Sequence, residues 1–130
     1  MVVLDASAVL ALISQEPGAD TVAGYLPDAT MSAVNVAEVI VKHVDRGADP
    51  TGVASDLEAL GIRIEPVGLD DARLHAQLRR CELAAVDDRP VLSLGDRCCL
   101  ALGQRLGAPV VTADRAWARL GLPVDVVVIR

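Results

Sequence analysis

The sequence is poor in aromatic and basic side chains. Its 130 residues contain no phenylalanine, one tyrosine (Tyr25) and one tryptophan (Trp117), so we expect a core built from alanine, valine and leucine. Lysine occurs once, at Lys42, and 12 basic residues face 18 acidic ones, which gives a net charge of −6. Because nucleic acids and anionic membranes repel an acidic protein, this composition argues against passive binding to either.

The chain also has no long apolar run and no regular cysteine spacing. No stretch approaches the roughly 20 apolar residues that span a bilayer. Asp5 interrupts the first apolar run and no basic residue precedes it, which is unlike a secretory signal. Cys81, Cys98 and Cys99 do not have the spacing of a zinc site and are typical of a reducing compartment. We therefore expect a cytoplasmic protein with no membrane segment.

The residues that are present predict one folded domain over residues 1–130. Hydrophobic residues make up 52% of the chain, which is enough to exclude a disordered tail or linker. A length of 130 residues is common for a domain with one core. No internal repeat, low-complexity tract or long linker divides the sequence.

Short apolar strands alternate with helical patterns along the chain. The pattern predicts strands at residues 2–4, 62–67, 110–112 and 124–129, and helices at 6–13, 19–26, 33–46, 50–60, 70–83 and 93–106. Strands separated by helices favour crossover connections and therefore a mainly parallel sheet covered on both faces. The expected fold class is a three-layer α/β/α domain.

The helix predicted at residues 33–46 begins at a capping serine, Ser32, and ends before Gly47. One apolar stripe along it, which we expect to face the core, consists of Ala33, Ala37, Ile40, Val41 and Val44.

Four carboxylates occupy positions that a parallel sheet brings together. Asp5 follows the first strand and Asp114 follows the strand at 110–112, so both are expected at the same sheet edge, where ligands of open parallel sheets bind. Asp96 falls in the first turn of its helix, and Glu38 lies at the border of an apolar stripe. Clustered carboxylates raise one another's pKa, and a divalent cation relieves this conflict. Mg²⁺ and Mn²⁺ prefer such oxygen ligands.

A cation held in this way polarises a phosphoryl oxygen and activates a water for in-line attack, which is the chemistry of phosphodiester hydrolysis. Each carboxylate also has a simpler interpretation. Asp5 and Asp114 are suitable helix N-caps, and Asp96 suits a capping box. Glu38 is spaced for a surface ion pair with Lys42. The joint placement of the four favours the metal site.

Four motifs in this order resemble those of PIN-domain ribonucleases, specifically the VapC-type toxins of toxin–antitoxin pairs. They are Asp5-Ala6-Ser7-Ala8 after the first strand, the segment 32–38 that ends in Glu38, the segment 92–97 that contains Asp96, and the segment 111–117 that contains Asp114. The resemblance covers nearly the whole chain and implies a PIN-like α/β/α fold.

The resemblance implies an endoribonuclease whose catalytic and metal-binding residues are Asp5, Glu38, Asp96 and Asp114, with Mg²⁺ or Mn²⁺ as the cofactor. In that family hydroxyl residues often occur at the positions of Ser7 and Thr112, so these two are expected to support the carboxylates. Asn35 lies one turn before Glu38 and is expected to orient it. Some family members carry a further acidic residue where this chain has Trp117.

The resemblance also implies partners: an RNA substrate, a cognate antitoxin and a second copy of the chain in a homodimer that joins the antitoxin in a hetero-oligomer. Arg97 and Arg115 are the leading candidates for RNA contact, followed by Arg79, Arg80 and Arg89. The apolar residues on the first two helices offer an antitoxin surface or fill the core, and we expect Leu10 and Ile13 to be core residues. The other members of that set are Val22, Tyr25 and Leu26.

Two alternatives compete with this interpretation. A receiver-like signalling module also has a parallel sheet with acidic strand ends, but it requires a lysine at a late strand end, and the only lysine here is Lys42 on an early helix. The second alternative retains the PIN fold and gives it a role in RNA processing, as a nuclease or an RNA-binding module that is not a toxin. A neighbouring gene for a small DNA-binding antitoxin would separate the two roles.

Overall fold

The computed structural model describes residues 1–85 and 91–130. In these ranges the strands are β1 (Val2–Leu4), β2 (Ala29–Ser32), β3 (Arg63–Glu65), β4 (Val110–Thr112) and β5 (Val126–Val128). The helices are α1 (Ala6–Ile13), α2 (Ala19–Tyr25), α3 (Ala33–Asp45), α4 (Val53–Ala59), α5 (Leu69–Ala84) and α6 (Leu94–Leu106). Short 3₁₀ helices cover Leu26–Asp28 and Arg115–Arg119. Across these two ranges, every helix is too short or too polar to cross a membrane.

The five strands form one parallel sheet in the order β3-β2-β1-β4-β5. Val3 is in register with Thr30 on one side and with Val110 on the other, so β1 is the central strand. The chain adds strands to one side of β1 and then to the other. The order therefore reverses between β1 and β4, the position at which open parallel sheets bind ligands.

Helices cover both faces of the sheet, which confirms the predicted three-layer architecture. Val2 and Leu4 belong to a core formed with α1, α2, α3 and α4. Val3, which points the opposite way, belongs to a second core formed with α5 and α6. A strand with apolar neighbours on both faces has a continuous apolar sequence, as Val2–Leu4 does.

Strand β2 was not predicted from the sequence. Its residues Ala29, Thr30, Met31 and Ser32 include two hydroxyl side chains and do not form a continuous apolar run, yet all four are buried. The strand lies between β1 and β3, and this tertiary context overrides a weak local preference.

The helix prediction for α3 is confirmed, including the cap, because the Ser32 hydroxyl accepts a hydrogen bond from the Val34 N–H at 3.3 Å. The predicted buried face is wrong. The buried residues of α3 are Asn35, Val36 and Val39. Most of the predicted stripe is exposed, namely Ala33, Ala37, Val41 and Val44, while Ile40 is half-buried. Sequence hydropathy alone gave no reason to place the polar Asn35 inside.

The apolar residues of the first two helices have mixed environments. Val22 is fully buried, whereas Tyr25 and Leu26 are half-buried against the first core. The expectation that Ile13 fills the core is wrong, since this last residue of α1 is 43% exposed. Leu10 packs against the core with part of its surface and also faces the open cavity described next.

Candidate active site

The predicted carboxylates Asp5, Glu38, Asp96 and Asp114 all line one open cavity of about 500 Å³. The cavity lies where β1 and β4 end, because Asp5 and Asp114 follow those strands. Its other lining residues come from α1 and α3, namely Ala6, Ser7, Leu10, Val34, Ala37, Val41 and Lys42. Four segments distant in sequence thus contribute acidic side chains to one space.

Asp5 is 4% exposed and its carboxylate is held by two hydroxyls. Ser7 Oγ donates to Asp5 Oδ2 at 2.5 Å, and Thr112 Oγ1 donates to the same oxygen at 3.0 Å. Asp5 occupies the N-cap position of α1, but its side chain makes no capping hydrogen bond. The helix-cap interpretation of Asp5 therefore does not account for its side chain.

The same two hydroxyls connect the end of β4 to the start of α1. Ser7 Oγ accepts a hydrogen bond from the Ala113 N–H at 2.9 Å, and Thr112 Oγ1 accepts one from the Asp114 N–H at 3.0 Å. Ser7 and Thr112 therefore support both strand-end carboxylates, directly at Asp5 and through the backbone at Asp114.

Glu38 is oriented by the buried side chain of Asn35. Asn35 Nδ2 donates to Glu38 Oε2 at 2.8 Å and to the Gly95 carbonyl oxygen at 3.1 Å. This amide therefore joins α3 to the first turn of α6. Lys42 has its nearest carboxylate at Asp45, with Nζ 3.7 Å from Oδ2, and no Glu38–Lys42 pair is present in the described part of the chain.

Gly95 was not singled out from the sequence, although it makes the approach of Glu38 possible. A Cβ atom at Gly95 would lie 2.2 Å from Glu38 Oε1, well inside contact distance. Glycine is unfavourable inside a helix, and its presence in α6 is the signal that marks a close approach.

Asp96 and Asp114 both serve as local caps. Asp96 closes a capping box, in which its Oδ2 accepts from the Ser93 N–H at 2.9 Å and its own N–H donates to Ser93 Oγ at 3.1 Å. Asp114 Oδ1 accepts from the Ala116 N–H at 2.9 Å. These bonds fix the start of each helix, and both side chains still line the cavity.

The electrostatics of the cavity disfavour charge on two of its carboxylates. Burial raises the pKa of Asp5, and the charge of Glu38 adds to this, while the hydrogen bonds from Ser7 and Thr112 oppose it. Burial also raises the pKa of Asp96, with smaller contributions from the charges of Asp5 and Asp114. The carboxylates are therefore close enough to repel one another.

The side chains do not form a closed metal cage in this arrangement. Within residues 1–85 and 91–130, no three or more histidine, cysteine, aspartate or glutamate side chains are grouped so that they could hold a metal ion. One oxygen of Glu38 is bonded to Asn35 and one oxygen of Asp96 is bonded to the Ser93 backbone.

Three of the five predicted RNA-contacting arginines have protein partners. Arg97 Nη1 donates to the Leu92 carbonyl oxygen at 2.7 Å and to Glu82 Oε1 at 3.2 Å. Arg115 Nε donates to the Arg130 carbonyl oxygen at 2.8 Å. Arg79 pairs with Glu82, Arg80 lines a different cavity, and Arg89 lies outside the described residues.

Comparison with known proteins shows that residues 2–122 match the PIN domain family. The chain belongs to the PIN-domain family. This assignment agrees with the order in which the four motifs occur and with the parallel sheet of the fold.

This PIN domain is also similar to VapC proteins in sequence. It is 34% identical over 114 residues to ribonuclease VapC42 of Mycobacterium tuberculosis, a match that covers 84% of this chain and 87% of that protein. The family resemblance to VapC-type toxins is thereby confirmed.

Solved structures support the same fold. A toxin–antitoxin complex from Klebsiella pneumoniae contains a chain that superposes with a TM-score of 0.74 at 21% identity, covering 100% of this PIN domain and 98% of that chain. The VapC20 toxin of Mycobacterium tuberculosis, described as cleaving the sarcin–ricin loop, superposes with a TM-score of 0.70 at 17% identity and covers 91% and 93% of the two chains.

Trp117, which the family resemblance compares with an acidic residue of some members, lies inside the fold of this PIN domain. Its side chain is 1% exposed and packs in the second core with residues such as Leu78 and Leu100. Trp117 is not among the lining residues of the carboxylate cavity. It is therefore a core residue, as a single tryptophan in a chain with so few aromatics suggests.

Proposed function

We propose that this PIN domain is an endoribonuclease that hydrolyses RNA phosphodiester bonds with Mg²⁺ or Mn²⁺. The observation that carries the proposal is the convergence of Asp5, Glu38, Asp96 and Asp114 on one cavity at the point where strand order reverses. The 34% identical relative is named a ribonuclease, which supports the same activity for this chain.

The donor set suits a hard divalent cation. Carboxylate oxygens are the ligands that such ions prefer, and the mutual repulsion of Asp5 and Asp96 with their neighbours is relieved by positive charge. Glu38 and Asp96 line the same cavity as Asp5 and Asp114, so all four carboxylates border the space in which we propose that the cation binds. When bound, the cation would stabilise charge on the phosphoryl oxygens and lower the pKa of a water molecule.

The protein residues would bind the cation and orient the attacking water. Asp5 is held rigidly by Ser7 and Thr112, which suits a metal ligand that must not move. Asp96 and Asp114 would complete the ligand set from helix starts fixed by their caps. Glu38, oriented by Asn35, would complete the shell or accept a hydrogen bond from the attacking water.

We further propose that the chain is the toxin of a toxin–antitoxin pair, assembles as a homodimer and is silenced by a cognate antitoxin. The support is its similarity to VapC proteins and to a chain of a toxin–antitoxin complex. The exposed apolar side chains of Ile13, Val41 and Val44 are further support, because a partner would remove them from water.

Co-expression with the product of an adjacent small gene should yield a complex that does not cleave RNA. A role in RNA processing instead predicts no such partner.

The decisive experiment compares RNA cleavage by the wild-type protein, Asp5→Asn and the control Asp20→Asn. Asp20 is an exposed aspartate on α2 that does not line the cavity. Asp5→Asn should abolish cleavage with Mg²⁺ or Mn²⁺ present, and excess EDTA should abolish it in the wild-type protein. Asp20→Asn should remain fully active.

Full cleavage by Asp5→Asn, or cleavage undiminished by EDTA, would show that the carboxylate cavity is not the catalytic site. Circular dichroism of each variant checks that the fold is retained. Mapping of cleavage ends after brief induction, with Asp96→Asn as the inactive comparison, would identify the RNA that is cut.

A further inference from the structure

Lys42 is the only cationic side chain that lines the carboxylate cavity, as far as the described residues go. It is also the only lysine in the sequence. It lies on α3 one helical turn after Glu38, so its four-carbon side chain extends from the edge of the acidic group.

The ammonium group of Lys42 is not committed to a strong protein contact. Its side chain is 56% exposed, and the Asp45 carboxylate that lies 3.7 Å from Nζ is equally exposed. A surface pair of this kind contributes little free energy and is easily exchanged for another anion. Lys42 is therefore available to a ligand, in contrast to Arg97, which binds Glu82 and a backbone carbonyl.

Much of the remaining cavity lining is apolar. Leu10, Val34, Ala37 and Val41 line the cavity with Lys42 and the carboxylates, and they have no polar side-chain atoms to compete for a phosphate. A nucleic acid strand that enters this cavity brings phosphates toward several carboxylates, and only Lys42 among the described lining residues offsets their charge. A lysine ammonium is a compact point charge that suits this task.

We propose that Lys42 binds a backbone phosphate of the RNA substrate beside the scissile bond. This inference rests on the proposed ribonuclease function and adds a substrate-binding residue to it. It also places Lys42 of α3 ahead of the leading arginine candidates, Arg97 of α6 and Arg115 of the 3₁₀ helix after β4, because neither of them lines the cavity.

The first test measures how RNA binding depends on salt. The probe is a fluorescein-labelled single-stranded RNA of mixed sequence, and the parent protein is Asp5→Asn with Mg²⁺, so that the RNA stays intact. Each phosphate contact contributes about 0.7 to the slope of log K against log salt for single strands. Lys42→Ala in this background should lower the slope by about 0.7, whereas Lys42→Arg should retain most of it.

Arg46→Ala is the matched control. Arg46 follows α3 one turn beyond Lys42, is exposed, and donates to Ser14 Oγ at 2.7 Å, but it does not line the cavity. Its substitution should leave the slope unchanged. Equal slopes for Lys42→Ala and Arg46→Ala, or RNA binding too weak to measure in both the parent and the wild-type protein, would overturn the proposal for Lys42. If the wild-type protein also fails to cleave RNA, the proposed function fails with it; if it cleaves RNA, only the role of Lys42 is refuted.

A second readout uses the fact that the chain has one lysine. Acetylation followed by mass spectrometry reports on Lys42, and the N-terminal amine of Met1, which pairs with Asp28 away from the cavity, is an internal control. The RNA probe should slow acetylation of Lys42 in the Asp5→Asn protein and leave the Met1 amine unaffected. Equal protection of the two amines, or protection of neither, would contradict a phosphate contact at Lys42.

Discussion

At the residue scale, the Asp5 carboxylate is subject to opposing influences. Two hydroxyls donate to one of its oxygens, which stabilises the charged form, while burial and the neighbouring charge of Glu38 destabilise it. Burial is the largest of these effects, so the pKa of Asp5 is raised. A carboxylate in this state is suited to bind a cation, because the positive charge of the cation stabilises the ionised form that burial destabilises.

This balance predicts a pH dependence for the metal-free protein. Between the ordinary pKa of an aspartate and the raised pKa of Asp5, the folded state binds more protons than the unfolded state. The free energy of unfolding should therefore decrease as the pH rises through this window and then level off. Asp5→Asn should reduce the decrease, as measured by urea unfolding at a series of pH values. A stability difference between the two proteins that does not vary with pH would contradict this expectation.

Gly95 offers a second test at this scale. Gly95→Ala should displace the Glu38 carboxylate, since the new Cβ would lie 2.2 Å from Oε1, and it should strongly reduce RNA cleavage. Because the displaced atoms end a flexible side chain, the change in unfolding free energy should stay within about 1 kcal/mol. Gly24→Ala on α2 is the control, as no atom lies within 4 Å of its added Cβ. Equal cleavage by both variants would show that the position of Glu38 is not critical.

At the scale of elements, the start of α6 combines a structural role with the catalytic role proposed for Asp96. The capping box of Ser93 and Asp96 satisfies backbone N–H groups at the helix start, and Asp96 also faces the cavity. The capping box that marks the start of α6 in the sequence therefore also fixes the position of Asp96 in the cavity.

Removal of the cap should be measurable. Ser93→Ala should lower the free energy of unfolding by about 1 kcal/mol, because the Asp96 N–H loses its acceptor. The midpoint of thermal unfolding should fall by about 3–5 °C in a domain of this size. Ser55→Ala, at an exposed position within α4, should change the midpoint by less. A loss no larger than that of the control would mean that the cap contributes nothing.

The sequence was informative where a local pattern decides the structure. Continuous apolar runs identified β1 and β4, and the aspartates after them, which were expected at the same edge of the sheet, line one cavity. Strand β2 was missed because its burial comes from its neighbours in the sheet. The buried face of α3 was misjudged because Asn35, a polar residue, is placed inside by its bonds to Glu38 and Gly95. The bond to Glu38 follows from the spacing of one helical turn and was expected, but the bond to Gly95 joins residues 60 positions apart, and no local pattern encodes it.

At the scale of the whole molecule, charge and topology act together. The net charge of −6 includes four carboxylates on one cavity, so setting these aside leaves −2. Part of the negative charge that argues against binding of a nucleic acid therefore lies in the cavity, where we propose that a cation binds. The rest of the surface is much closer to neutral.

Divalent cations should therefore stabilise the protein. Saturating Mg²⁺ or Mn²⁺ should raise the midpoint of thermal unfolding, because an ion that binds only the folded state shifts the equilibrium by mass action. Asp96→Asn should reduce this shift, and KCl at matched ionic strength should not reproduce it. A shift of the same size in Asp96→Asn, or in KCl, would indicate general screening and no formed site.

The position of β1 in the sheet also sets when the site comes into being during translation. Asp5 is made 107 residues before Thr112, whose hydroxyl holds its carboxylate, and β4 follows its neighbour β1 at a similar separation. Parallel strands with such separation form late, since the intervening chain must be closed before they pair. A ribosome that synthesises this chain therefore carries an incomplete cavity until Thr112 and Asp114 have emerged. The proposed catalytic carboxylates Asp5 and Asp114 stay apart while the residues between them are being made.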